Sequence, residues 1–420
     1  MMSPSSSSIR RAAEPRYRPR MTRPLSGVKV VDFSEHGFVP SAAAALADWG
    51  ADVVKIERLE GDAMRGIIGS GMVATVDGHD YLFELVNRNK RGIALDVERP
   101  EGRTVFERLV AWADVYVTNQ LPRVRRKLRT EPADLLTINP RLVVAKGSGQ
   151  GQRGADAEAG GYDAVSYWAR GGVSHVLTPP DAAMPTPQRP ALGDIPTGAF
   201  FAGGICAALV HTLRTGNGIV VDTSLLNGAV WTLGPDMAYA SLAGEQLPAP
   251  TETPRSPVTQ TYRTADGRFV TLMMIDESRY WGQACRALGL AELIDTHPDA
   301  ATRRANWAPL SERFRMVIGG LDREDLERRL RDEGCIYSFF QTPSEVIGDQ
   351  AVVDNGYMMQ HPVVEALHLS AAPAQFDDEL PKIRRAGPRL GEHTVEVLAE
   401  LGYDGAETDA LLDAGVVRAG

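Results

Sequence analysis

Cysteine is nearly absent from this chain: Cys206, Cys285 and Cys335 are the only three in 420 residues. They are too few and too widely spaced for a disulfide framework or a zinc site, and they suit a reducing, cytoplasmic compartment. No run of about 18 apolar residues occurs, so no membrane span is expected. Positive charge is also short. A net charge of −9 argues against a nucleic-acid surface and leaves any polyanionic ligand only a local basic pocket. The eight histidines show no ligand spacing such as H-E-x-x-H, so no metal is expected. Residues 1–23 are rich in Ser, Pro and Arg without an apolar core, which excludes a secretory signal. They are expected to be a disordered tail, or an upstream extension with Met21 opening the domain.

What remains is an ordinary globular composition, 43% hydrophobic and 24% charged, with enough chain for two domains or one large one. Apolar runs at 28–33, 52–56, 92–96, 115–118 and 141–145 read as strands, with helices at 41–49 and 100–113 between them. That alternation predicts an α/β fold with a Rossmann-like, doubly wound parallel sheet. Five prolines in 178–190 predict a surface loop, followed by a helix at 198–214, a strand at 219–223 and a helix from Ser224. A second proline cluster (Pro248, Pro250, Pro254, Pro257) reads as a linker, and 261–274 as a β-hairpin opening a smaller α+β domain. The expected division is a large domain over 24–225, a linker over 226–260, a small domain over 261–345 and a C-terminal segment over 346–420, whose return to the large domain is implied only by the family resemblance given below.

Residues 160–172, GGYDAVSYWARGG, set one carboxylate between two glycine pairs with no base beside it. A bare carboxylate of this kind suits nucleophilic attack on an activated acyl group, and the glycines would leave amide N–H groups free to face the developing oxyanion. The alternative is that Asp163 merely caps the helix starting there. Gly149, Gly151 and Gly154 match G-x-G-x-x-G but lack a following helix, so a dinucleotide site is not expected. Arg58, Arg88, Lys90, Arg91, Arg123, Arg125, Arg126, Lys127 and Lys146 stand out in an acidic chain. Several follow predicted strands, where open α/β sheets bind ligands, and they could hold phosphates or form a solvated basic face.

Ten segments, among them LSGVKVVDF, LADWGADVVKIER, NRNKRGIALDVERPEGR, NPRLVVAKGSGQG, GGYDAVSYWARGG and GDIPTGAFFAGGICAAL, together resemble the family III CoA-transferases (the CaiB/BaiF-like family) in order from about residue 24 to 415. The resemblance implies an obligate, interlocked homodimer of two-lobed subunits. It places the nucleophile on Asp163 and CoA contacts on Arg58, Leu95, Asn119, Lys127 and Lys146. The implied activity moves CoA from an acyl-CoA to a carboxylic acid through an aspartyl-CoA thioester, with CoA as a substrate moiety and no tightly bound cofactor.

The chain departs from this pattern in three places. Gly37 stands where many members carry an active-site Gln, Glu98 stands where some carry a Lys, and the glycine-rich flap of the formyl-CoA enzyme is missing from the second linker. Phe38, Trp168, Phe200 and Phe201 suggest a larger, apolar acyl group. The fold is shared with α-methylacyl-CoA racemases, whose second acid/base falls near Asp194. Their first base is a His where this chain has Tyr162, a poor base at neutral pH, which favours the transferase. A third possibility is a non-catalytic CoA-binding protein.

Overall fold

Six parallel strands carry the structure: β1 (Lys29–Phe33), β2 (Asp52–Glu57), β3 (Arg91–Leu95), β4 (Val115–Thr118), β5 (Val143–Ser148) and β6 (Ile219–Ser224). This computed structural model describes residues 23–248 and 255–420. The expected N-terminal tail up to residue 22, and the stretch 249–254 with Pro250 and Pro254, lie outside the described residues. The chain forms two units, one of residues 1–234 with 355–420 and one of 235–354.

In the first unit the strands are ordered β3-β2-β1-β4-β5-β6, so the direction of winding reverses between β1 and β4. Val31 of β1 lies opposite Val54 of β2 and Tyr116 of β4. Both faces of the sheet are covered, which explains why its strands are nearly continuous apolar runs. The final strand, Val417–Arg418, pairs antiparallel with β3 and closes that edge. Two residues are too few to be legible as a strand in the sequence.

Helices α1 (Phe38–Asp48) and α2 (Asp194–Thr215) pack on one face. Both begin earlier than the sequence reading, by three and four residues, because Pro40 and Pro196 fall in their first turns, where proline is tolerated. At Gly198 the two helices touch backbone to backbone: a Cβ there would stand 1.9 Å from Ser41 Oγ and 2.9 Å from the Phe38 carbonyl oxygen. α2 is also long and apolar enough to cross a membrane, contrary to expectation. Its buried residues, Thr197, Phe201, Ala202, Ile205, Ala208, Leu209 and Thr212, make one helical stripe, as a core helix requires.

The second unit has its own core around Trp281, Phe314 and Leu326. It is built on an antiparallel sheet of Thr261–Arg263, Phe269–Leu272 and Tyr337–Phe339 with helices packed against it. The expected hairpin is present in it.

Candidate active site

Asp163 follows β5 and immediately precedes a π-helix, Ala164–Arg170, a rare wide-turned helix found mostly at functional sites. The residue is 8% exposed. Its side chain does not cap that helix. Instead Oδ2 accepts the Gly193 N–H at 2.9 Å, while Oδ1 is buried without a hydrogen-bond partner. Of the flanking glycines, Gly161 and Gly171 also serve packing. A Cβ at Gly161 would lie 2.4 Å from Ser166 Oγ and 2.8 Å from the Gly149 Cα, and one at Gly171 would lie 2.2 Å from Ala229 Cβ. They let the Asp163 segment lie against the end of β5 and the helix Leu225–Thr232.

Gly193, 30 residues from Asp163 and at the N-cap of α2, supplies the backbone donor to the Asp163 carboxylate. A Cβ on it would stand 2.3 Å from Asp163 Oδ1 and from the Tyr167 ring, so only glycine admits this approach. Burial raises the Asp163 carboxyl above its ordinary range, and the amides of Gly193 and Asp194 and the side chain of Gln188 partly offset this. Gln188 Nε2 and Asp163 Oδ1 are both buried without a close partner, and Gln188 lowers the Asp163 carboxyl as a hydrogen-bonding neighbour.

The next residue, Asp194, is half-buried, and its carboxyl lies over Gly37, the N-cap of α1. A Cβ at Gly37 would meet Asp194 Oδ2 at 2.4 Å. Burial first, and then the Asp163 charge, push the Asp194 carboxyl up to about 7. The N-termini of α1 and α2 work in the other direction, each by about 0.3–1 kcal/mol. Moving a carboxyl from its ordinary range to 7 represents roughly 4 kcal/mol, so burial wins. The close α1–α2 approach at Gly198 puts these two N-termini side by side.

Residues 34–37, after β1, link this centre to other expected site residues. Glu35 donates its N–H to Asn119 Oδ1 at 3.1 Å and accepts from Asn119 Nδ2 at 2.6 Å, across the β1–β4 reversal. Its carboxylate pairs with Arg58 at 3.0 Å. His36, at φ 66°, meets the Tyr162 ring edge-on with centroids 5.3 Å apart. Arg58, Asn119, Tyr162 and Asp163 thus fall along one connected path.

The other expected contacts stand apart from that path in the hydrogen-bond pattern. Lys127 pairs with Glu98 at 2.7 Å on the surface. Lys146, on β5, is held below its ordinary range by burial and by Arg125. Leu95 ends β3 with 1% exposure and is paired with Val417, so neither its side chain nor its backbone is open to a ligand here. Sequence reasoning missed Gly193, Glu35 and His36 as site residues. A Gly-Asp pair opening a long helix was the one signal available for Gly193.

Part of the basic set proves structural. Arg88 pairs with Asp48 and Lys90 with Asp32, each at 2.7 Å, and Arg91 binds Asp52, Glu396 and Glu400. Arg125 is buried against Glu131. These four are not free to hold phosphates, because each is itself buried and already paired. Lys90 donates to Asp32, Pro40 O and Asn87 Oδ1, and Lys55 to Ser34 O and Asp62. This buried pair of lysines anchors the 34–37 turn from beneath.

The aromatic residues change meaning too. Phe38, Trp168 and Phe201 belong to the core on the α1–α2 face, and Phe200 alone is exposed, so they do not argue for a large apolar acyl group. The Trp168 indole N–H donates to Thr186 O at 2.9 Å, tying down the proline-rich loop. A cavity of about 490 Å³ lined by Asp48, Trp49, Phe376 and Lys382 includes none of the candidate site residues. Its volume reflects a surface cleft.

Comparison with known proteins agrees with this geometry. The model of CoA-transferase family III matches residues 25–394. The chain is 29% identical over 403 residues to the (R)-2-hydroxy-4-methylpentanoate CoA-transferase of Clostridioides difficile, covering 94% of this chain and 99% of that protein. It is 29% identical to the cinnamoyl-CoA:phenyllactate CoA-transferase of Clostridium sporogenes, covering 93% and 96%. It is 31% identical to the human succinyl-CoA:glutarate CoA-transferase, covering 94% and 90%. The fold is similar to that of a CaiB/BaiF family protein from Brucella suis, with a TM-score of 0.75 and 28% identity, covering 91% of this chain and 100% of that one. All three named enzymes transfer CoA, which does not favour the racemase reading.

Proposed function

The chain belongs to CoA-transferase family III and is an enzyme that exchanges CoA between an acyl-CoA thioester and a free carboxylate; from that premise we propose that Asp163 carries the CoA between the two. One observation supports this above others: a buried carboxylate with one oxygen unpartnered and the other receiving the Gly193 N–H. Asp163 Oδ1 attacks the thioester carbonyl, forming a mixed anhydride and releasing CoA thiolate. The thiolate attacks the Asp163 carbonyl carbon, and the charge that builds on Oδ2 falls on the Gly193 N–H at the positive end of α2. The tetrahedral adduct collapses to an aspartyl-CoA thioester and frees the first acid, which takes Oδ1 with it. A second carboxylate runs the sequence backwards. No proton is gained or lost overall.

We assign CoA binding to Arg58, Asn119, Lys127 and Lys146, and to Leu95, which is buried at the end of β3. Arg58 and Lys127 would exchange exposed carboxylate partners for phosphates, to which Arg and Lys bind more strongly than to a screened surface partner. We further assign the protein to the cytoplasm as an interlocked homodimer. The named relatives act on a branched hydroxy acid, an aryl hydroxy acid and a dicarboxylate, so the acid pool for a test must span all three.

Incubation in D₂O with that pool and a panel of acyl-CoAs, followed by mass spectrometry of every thioester, reads the reaction directly. New acyl-CoA species are expected, together with CoA attached to Asp163 in the intact protein, and Asp163→Ala should abolish both. Deuterium at the α-carbon without new thioesters would sink the transferase reading.

A further inference from the structure

Asp163 and Asp194 form a two-carboxylate centre to which the described residues bring no cation. The groups that act on Asp163 are the Gly193 amide, the Gln188 side chain and the Asp194 amide, and the one charged group that acts on Asp194 is Asp163. The elements packed around Asp194 supply Gly37 and the Ser41 hydroxyl from α1, the latter reaching only the Asp194 carbonyl oxygen at 3.3 Å. No side-chain donor reaches its carboxyl among the described residues. Yet each half of the exchange must bring a substrate carboxylate to this centre or release one from it. An ionised Asp194 would repel that carboxylate, whereas a carboxylic acid would greet it with an O–H. A half-buried carboxyl set against Gly37 next to a second carboxylate, with no cation and no side-chain donor, favours its protonated form. Gly37 leaves open the space that the Asp194 carboxyl fills, because any side chain at 37 would displace it.

We propose that Asp194 is a catalytic residue of this enzyme: held as a carboxylic acid beside Asp163, it donates a hydrogen bond to the free carboxylate that departs from, and then enters, the intermediate on Asp163. The proposal rests on the covalent role of Asp163 given above. Asp194 keeps its proton throughout, so the exchange stays balanced, and its O–H does for an anion what a buried cation would do without fixing a permanent charge beside the nucleophile. The same device, a neutral carboxyl used as a donor in an apolar site, is known in other enzymes. The position of the Asp194 carboxyl near 7 agrees with this assignment.

The test uses the full-length protein with Asp194→Asn, which keeps an N–H donor but cannot ionise, and Asp194→Ala, which has neither property. Infrared difference spectra between wild type and Asp194→Asn at pH 6 should contain the carbonyl band of a protonated carboxyl, and that band should vanish at pH 9. Its absence at pH 6 overturns the proposal without touching Asp163. With an acyl-CoA and acid pair that turns over, Asp194→Ala should lose about 10²–10³-fold in kcat. Asp194→Asn should recover most of that loss and remove the alkaline fall of the wild-type profile. Equal rates for wild type and Asp194→Ala, or equal losses in the two variants at matched melting temperature, also overturn it. Failure of the underlying reading looks different: wild type would turn over without CoA ever appearing on Asp163.

Discussion

Gly193 and Asp194 show how much of this site is set by single residues whose meaning lies outside their local sequence. Asp163 was legible as a carboxylate between glycine pairs, but Gly161 and Gly171 also proved to be packing contacts, and the backbone donor to its carboxylate comes from the N-cap of α2. No local pattern could pair residues 30 apart across the proline-rich loop between the π-helix and α2. Gly193→Ala should lower turnover by about 10²–10³-fold, since its Cβ would displace the Asp163 carboxylate from its donor; steady-state kinetics beside a melting curve separate this from unfolding. A pH effect belongs to the same scale. The folded Asp194 carboxyl sits near 7, above its unfolded value, so the folded state holds the extra proton between about pH 4 and 7. Stability from this group is full below that window and is lost as pH rises through it, by up to about 1.4 kcal/mol per pH unit. Asp194→Asn should therefore raise the melting temperature relative to wild type more at pH 8 than at pH 5.

Elements were read well where the period was strong and poorly where one residue decided a boundary. The parallel strands stood out because burial on both faces makes them unbroken apolar runs. The starts of α1 and α2 were misjudged because proline looked like a stop although it sits in a first turn. The π-helix after Asp163 has no sequence signature of its own. The turn after β1 joins Arg58, Asn119 and Tyr162, and it is fixed by Lys55 and by Lys90, of which Lys90 had suggested phosphate binding. Lys90 is fully buried, and burial pulls its ammonium down to about 8 while Asp32 holds it up. Lys90→Met would leave Asp32 desolvated and unpaired, at a cost of about 3–5 kcal/mol by urea unfolding. CoA binding, followed by calorimetry, should weaken with it because the turn loses its anchor.

On the scale of the whole molecule, one unit is contiguous and the other is not. The unit of residues 235–354 has a closed core of its own, while the first unit draws on both ends of the chain. The expectation of a large sheet-bearing part with a smaller α+β part came from the change from βα alternation to a hairpin followed by helices, a change large enough to survive errors at single boundaries. The return of the chain was less visible, because its contribution to the sheet is only Val417–Arg418. Val416 and Val417 are nonetheless buried, and burying a valine is worth about 1.5–3 kcal/mol. Deleting residues 414–420 should accordingly lower the urea midpoint and, by baring the β3 edge, increase light scattering on heating. Sedimentation of the intact protein should give twice the monomer mass if the interlocked dimer is right.

That last strand also imposes a timetable on biosynthesis. The edge of β3 is covered by residues that are synthesised after the whole 235–354 unit. The inserted unit can therefore mature first, as contiguous domains do. The nascent sheet, already holding Asp163, must wait with an open border until Val417 arrives.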